Sequence, residues 1–145
     1  MNKKIDILLV EDNPADVELT LHGFKVQNIN EKIYVANDGA EALEVVFGKE
    51  INDSENIKIT PRLILLDLKL PKVDGLEVLK KLKDNPATRS IPVVILTSSR
   101  EVSDMTRSYQ LGANSYICKP VDFQEFKKVV NKLYLYWLLT NELPF

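Results

Sequence analysis

The sequence predicts an α/β fold, a five-stranded parallel sheet doubly wound by helices, and two observations carry that expectation. Five short apolar runs alternate strictly with five stretches whose apolar residues recur at helical spacing, the pattern of a parallel sheet with helices on both faces. Four of the five runs end on a chemically distinctive residue: Asp12 just past the first, Asp67 after the third, Thr97 after the fourth and Lys119 after the fifth. In a parallel sheet all strand ends of one kind share an edge, and ligands bind at the carboxyl edge.

Ile5 to Val10 reads as the first strand, stopped by Glu11-Asp12. Asn13-Pro14 opens a helix, because proline suits the first helical position, and Val17, Leu21 and Phe24 keep helical spacing to about Val26. Lys32 to Ala36 is the second strand. Asp38 and Glu41 have the spacing of a capping box at the start of a helix from Gly39 to Phe47, whose apolar face is Ala42, Leu43, Val46 and Phe47. Gly48 to Pro61 is polar and reads as an exposed loop, long enough for a compact domain to be functional or mobile. Leu63-Ile64-Leu65-Leu66 is a buried strand that delivers Asp67 to a turn. Asp74-Gly75 then begins a third helix, lined by Leu76, Leu79 and Leu82 and ended by Asp84-Asn85-Pro86.

Val93 to Thr97 is the fourth strand. The helix from Val102 to Leu111, stopped by Gly112, has a weak apolar face and is expected to dock marginally. Ser115 to Cys118 is the fifth strand, closed by Lys119-Pro120, and a last helix from about Asp122 places Phe126, Val130, Leu133 and Trp137 on one stripe.

Composition narrows the function. At 145 residues, 45% hydrophobic and 28% charged, residues 1–145 are expected to form a single soluble globular domain. A net charge of -2 lacks the surplus of Lys and Arg that nucleic acid requires, so no nucleic-acid partner is expected. Lys80, Lys81 and Lys83 read as a solvated helix face. His22, with no second His or Cys to share a ligand, reads as a surface residue. Cys118 is the sole cysteine, which excludes an internal disulfide and a Cys-based zinc site and favours a reducing, cytoplasmic setting. The apolar run after Lys3-Lys4 breaks too early for a signal segment, and none approaches the roughly 20 residues that cross a bilayer.

Glu11, Asp12 and Asp67 together make an oxygen-only acid cluster. Like carboxylates raise one another's pKa unless a cation lies among them, and hard oxygen ligands suit Mg²⁺. Lys119 adds a point positive charge and Thr97 a hydroxyl, the groups that hold the oxygens of a phosphoryl unit. A carboxylate can itself be the nucleophile and form an aspartyl-phosphate, which makes Asp67 the expected reactive group.

Leu9-Val10-Glu11-Asp12-Asn13, Leu66-Asp67-Leu68-Lys69-Leu70-Pro71 with Asp74-Gly75, Leu96-Thr97-Ser98, and Gly112-Ala113 leading to Tyr116 and Lys119-Pro120 resemble the receiver domain of two-component response regulators, over about residues 5 to 130. The resemblance implies a flavodoxin-like strand order 2-1-3-4-5 and phosphorylation of Asp67 by a sensor histidine kinase. It implies Mg²⁺ held by Asp12, Asp67 and the Lys69 carbonyl, with Glu11 acting through water. It further implies that Thr97 and Tyr116 move together on phosphorylation, that Lys69 and Ser99 tune hydrolysis, and that the Lys119-Pro120 peptide is cis. Gly48 to Pro61 and the ending Tyr136-Trp137-Leu138 with Leu143-Pro144 look like the stand-alone regulators paired with bacterial phytochromes. With no room for an output domain, the message is expected to leave through the receiver surface, as a changed affinity for a downstream protein. A long Lys69 side chain would screen the attacking water and lengthen the phosphoryl lifetime.

Two other readings compete. An Mg²⁺-dependent phosphohydrolase also uses a nucleophilic Asp, but places a second acid two residues later, where this chain has Lys69. A phosphorelay intermediate would pass its phosphoryl group to a histidine phosphotransfer protein. Separately, Leu133-Tyr134-Leu135-Tyr136-Trp137-Leu138-Leu139 is apolar or aromatic on every side, more than one sheet face can cover. A homodimer through this last helix, or a tail from Asn141 to Phe145 folded back on it, is the expected cover.

Overall fold

The computed structural model describes residues 3–25, 32–48 and 58–145. Strand β1 (Lys3–Val10) leads to helix α1 (Pro14–Lys25), β2 (Ile33–Ala36) to α2 (Gly39–Phe47), and β3 (Ile59–Leu66) to α3 (Gly75–Asp84). The chain continues through β4 (Val93–Thr97), α4 (Val102–Gln110), β5 (Ser115–Cys118) and α5 (Phe123–Trp137). All neighbouring strands are parallel, in the order β2-β1-β3-β4-β5. The expected (βα)5 arrangement is thus present, with β3 at the centre of the sheet.

The central run shows why both faces must be covered. Successive side chains of a strand point to opposite sides. Ile64 and Leu66 enter a core shared with Leu43 and Phe47 of α2 and Val78, Leu79 and Leu82 of α3. Leu63 and Leu65 enter a second core with Phe24 of α1 and Phe126, Val130 and Leu133 of α5. Each of these four strand residues is fully buried, worth roughly 1.5–3 kcal/mol apiece relative to exposure. Residues 63–66 have no solvated side, so this part of β3 reads as an unbroken apolar run and the strand's end is rigidly placed.

Helix starts are fixed locally. Asn13 Oδ1 accepts the backbone N–H groups of Ala15 and Asp16, while Asp74 and Asp122 cap α3 and α5 by accepting from Glu77 and Glu125. Asp38 caps α2 as expected, but Glu41 reaches back to the N–H of Asn37 rather than that of Asp38, so the box closes one residue earlier.

Several expectations are corrected. β3 starts at Ile59, inside the stretch read as loop, because Lys3, Lys4 and Ile5 of β1 pair with Ile59, Thr60 and Pro61. Pairing with β4 begins at Ile64, so Pro61 lies where β3 has a single neighbour, the kind of place where a sheet tolerates proline. The Lys119–Pro120 peptide is trans, since no cis bond occurs among the described residues. That is the isomer X-Pro bonds favour by about 0.5–1 kcal/mol, and Lys119 N–H completes β5 by donating to the Thr97 carbonyl at 2.7 Å. Lys83 is half-buried and gives its three donors to the Arg89 and Ile91 carbonyls and Asn114 Oδ1, at 3.0, 2.8 and 3.2 Å, so it is no part of a solvated face. On α5 the buried stripe is Phe126, Val130, Leu133 and Tyr134, with Trp137 only half-buried. The C-terminus of α1 at Val26 and the middle of the long loop, residues 49–57, lie outside the described residues. Among the described residues no helix is long and apolar enough to cross a membrane.

Candidate functional site

Glu11, Asp12, Asp67, Thr97 and Lys119 meet at the carboxyl edge of the sheet, each at or just past the end of its strand. Asp67 leads into the β3–α3 turn, which two glycines hold close. A Cβ on Gly75 would stand 2.2 Å from the Asp67 carbonyl oxygen, and one on Gly39 would stand 1.7 Å from the Val73 carbonyl oxygen. Neither approach admits a side chain, and both clamp the turn that carries Asp67.

The Asp67 carboxylate is 6% exposed. Its Oδ1 accepts the Leu68 N–H at 2.7 Å and the Lys69 N–H at 3.4 Å, and its Oδ2 accepts from Lys119 Nζ at 3.0 Å. Lys119 has three donors and places each on a carboxylate: Asp67, Glu11 Oε1 in a short contact, and Asp16 Oδ2 at 2.8 Å. Burial works against the Lys119 charge, but Asp16, Glu11 and Asp67 outweigh it and hold the ammonium above the ordinary lysine range. Burial likewise pushes the Glu11 carboxyl up to about 7, although its bond to Lys119 pulls the other way.

Asp16 was not singled out from sequence. It lies four residues past Asp12 in the first turn of α1, where Asn13-Pro14 starts the helix. Glu11, Asp12 and Asp67 offer ligand oxygens within 4.8 Å of one another. Asp16 joins Glu11 and Asp67 around the Lys119 ammonium, and Asp12 adds a fourth carboxylate beside Glu11 and Asp67. Lys119 cannot neutralise that cluster alone, and an all-oxygen donor set with excess negative charge suits a hard divalent cation.

Thr97 is fully buried, and its Oγ1 accepts the Ser99 N–H at 3.3 Å. Tyr116 stays apart from the carboxylates and donates its hydroxyl to the Ser99 carbonyl at 3.0 Å. Ser99 is therefore the physical link between Thr97 and Tyr116. The Lys69 side chain also stands away from Asp67, with its ammonium 3.9 Å from Asp104 Oδ2, a second residue that sequence reasoning passed over. His22 is exposed, as expected.

A buried acceptor carboxylate with a fixed ammonium, an acid cluster and a neighbouring hydroxyl is chemistry for phosphoryl groups, and residues 7–131 match the family model for the response regulator receiver domain. The chain belongs to the response regulator receiver family. Rcp1 of Synechocystis sp., a response regulator, is 41% identical over 95% of this chain and 92% of its own length. Its Mn²⁺-bound crystal structure superposes with a TM-score of 0.87 at 38% identity, covering 97% of this chain and 99% of that one. The phosphorylated cyanobacterial phytochrome response regulator RcpA gives a TM-score of 0.86 at 36% identity, with both chains fully covered. A probable methanogenesis regulatory protein, FilR2 of Methanothrix harundinacea, is 40% identical over 95% of this chain and 86% of its own. Receiver domains are signalling proteins of two-component systems: they accept a phosphoryl group from a histidine kinase on an aspartate and signal through changed protein contacts. This chain is a response regulator of that kind.

Proposed function

We propose that Asp67 is the phosphoryl acceptor, that Lys119 and Thr97 hold the phosphoryl oxygens, and that Thr97 and Tyr116 form the switch. The observation that carries this reading is the Asp67 carboxylate itself, buried at the end of the central strand with one oxygen fixed by backbone N–H groups and the other by Lys119. In the transfer, an Asp67 oxygen attacks the phosphorus of a kinase phosphohistidine. The P–N bond breaks as the P–O bond forms, and the imidazole leaves with its electron pair. Lys119 neutralises charge on the transferring group, and Thr97 supplies a hydroxyl. Phosphoryl engagement of Thr97 would take Oγ1 from the Ser99 N–H, and because Ser99 also holds Tyr116, the change passes outward.

Asp12, Asp67, the Lys69 carbonyl and Glu11 through water would hold Mg²⁺, which when bound neutralises the acid cluster and the incoming phosphoryl oxygens. With Lys69 where a hydrolase has its second acid, slow self-dephosphorylation follows the acceptor step in place of rapid turnover. A cytoplasmic, phytochrome-type kinase is the proposed donor, supported by the likeness to RcpA and Rcp1. Residues 1–145 act in this reading as one receiver unit, with α5 and the tail as part of its surface.

The proposed homodimer uses α5 and the residues just beyond it. Tyr136 and Leu139 are 51% and 62% exposed, and Leu135 is also exposed, so the tail that follows leaves this apolar strip uncovered for a second copy of the chain. Sedimentation should find a dimer that Tyr136→Glu disperses. A monomer at high concentration, loaded or unloaded, would count against it.

The acceptor reading predicts uptake of one phosphoryl group per chain from a phosphorylated histidine kinase, its loss in Asp67→Ala, and no turnover of a small phosphate ester. Multiple turnover of such an ester would favour the hydrolase instead.

A further inference from the structure

Lys69 and Ser99 occupy matching places on neighbouring loops. Each lies two residues past a site side chain and donates its backbone N–H to it, Lys69 to Asp67 Oδ1 at 3.4 Å and Ser99 to Thr97 Oγ1 at 3.3 Å. Their side chains then meet on one carboxylate, that of Asp104 in the first turn of α4. Asp104 Oδ2 accepts the Ser99 hydroxyl at 2.5 Å and stands 3.9 Å from the Lys69 ammonium. The carboxylate is only 17% exposed, whereas the lysine is mostly in solvent.

α4 has little else to fasten it. Ser108 is its one buried residue and bonds back to the Asp104 carbonyl, and the N-cap residue Glu101 makes no side-chain cap. Asp104 therefore joins the β3–α3 loop to the β4–α4 loop, across the gap between the strand ends that carry Asp67 and Thr97. The two arms differ in kind. A bond from a hydroxyl to a shielded carboxylate is charge-assisted and firm, while an ion pair with an exposed lysine contributes little by itself. Ser99 holds the bridge, and Lys69 lies along it as a cover.

We infer that Asp104 is a positioning residue that sets how long a phosphoryl group survives on Asp67, by tying Lys69 and Ser99 across the mouth of the site. The inference rests on Asp67 as acceptor. Hydrolysis requires water to approach phosphorus in line with the bond to Asp67. The P–O bond to water forms as the P–O bond to Asp67 breaks, the carboxylate leaves with the electron pair, and the water proton passes to solvent, giving inorganic phosphate. In this reading Lys69 and Ser99, held by Asp104, stand where that water would enter.

The test follows label on the full chain after loading by a phosphorylated histidine kinase and removal of the donor. Asp104→Ala should lose label about five- to tenfold faster than wild type, the net effect of about one hydrogen bond. Asp104→Asn keeps an acceptor for Ser99 but offers Lys69 no charge, and should fall between the two. In a Lys69→Ala/Ser99→Ala chain, adding Asp104→Ala should change the rate little, because the bridge is already gone. Equal decay in Asp104→Ala and wild type overturns the bridge. So does an undiminished Asp104→Ala effect in the double variant, which would mean that Asp104 acts by supporting the fold. A wild-type chain that takes no label overturns the acceptor reading and the bridge together.

Discussion

Lys119 and Lys83 are both withdrawn from solvent, at opposite edges of the same sheet, and their partners make them different objects. Lys119 closes β5 at the carboxyl edge and meets three carboxylates. Lys83 lies in the last turn of α3 and reaches the amino edge, where the approaches to β4 and β5 offer it three uncharged carbonyl oxygens. Burial disfavours the charge in both cases. At Lys83 nothing offsets it and the amine falls to about 8, whereas at Lys119 the three acids reverse the outcome and raise it. One lysine is a cation held among carboxylates. The other is a strap between loops whose charge depends on pH.

The sharpest way to break this contrast is to remove each amine. Lys119→Met leaves Glu11, Asp16 and Asp67 without their shared cation, and should slow phosphoryl uptake from a small acyl-phosphate donor by about 10²–10³-fold, the loss typical of one preorganised electrostatic group. Lys83→Met should leave uptake within about twofold of wild type and instead cost about 1–3 kcal/mol of stability, read from denaturant midpoints, because buried carbonyls lose their donor. Slow uptake in Lys83→Met, or unchanged uptake in Lys119→Met, would erase the distinction.

The pH dependence of stability sharpens it further. An ordinary lysine titrates near 10.5, so between about 8 and that value the unfolded chain binds more protons at Lys83 than the folded chain does. The penalty for burying the charge is therefore fully present below about 8 and fades as pH rises through that window. Wild-type stability should gain with pH there relative to Lys83→Met, and parallel curves would show that Lys83 keeps its proton when folded. The smallest effect is expected from Asp16→Asn, which retains an oxygen for Lys119 but removes one of three charges. Uptake should change less than about tenfold and stability by about 1 kcal/mol or less.

The same contrast explains what was legible in the sequence. Strand ends were, because four consecutive buried aliphatics ending on Asp67 leave a strand little choice but the centre of a parallel sheet. Helix starts were too, since Asn13, Asp38, Asp74 and Asp122 act on their own neighbours. Lys83, Asp16 and Asp104 were less so. Each is an ordinary charged residue on an amphipathic helix, and its partner is fixed only when the helix docks. Lys83 finds Asn114, 31 positions away, and Asp16 finds Lys119, 103 positions away. The early start of β3 was hidden for a related reason: Pro61 argues locally for a loop, and only the length of β1 overrules it.

In the proposed reading the acid cluster at this edge has one phosphoryl acceptor, Asp67. Borohydride reduction of the loaded chain converts an acyl phosphate to an alcohol, and peptide mass spectrometry then reads its position. Homoserine is expected at residue 67, with unmodified carboxylates at Glu11, Asp12 and Asp16. A reduced side chain at any of those three, with Asp67 intact, would contradict it.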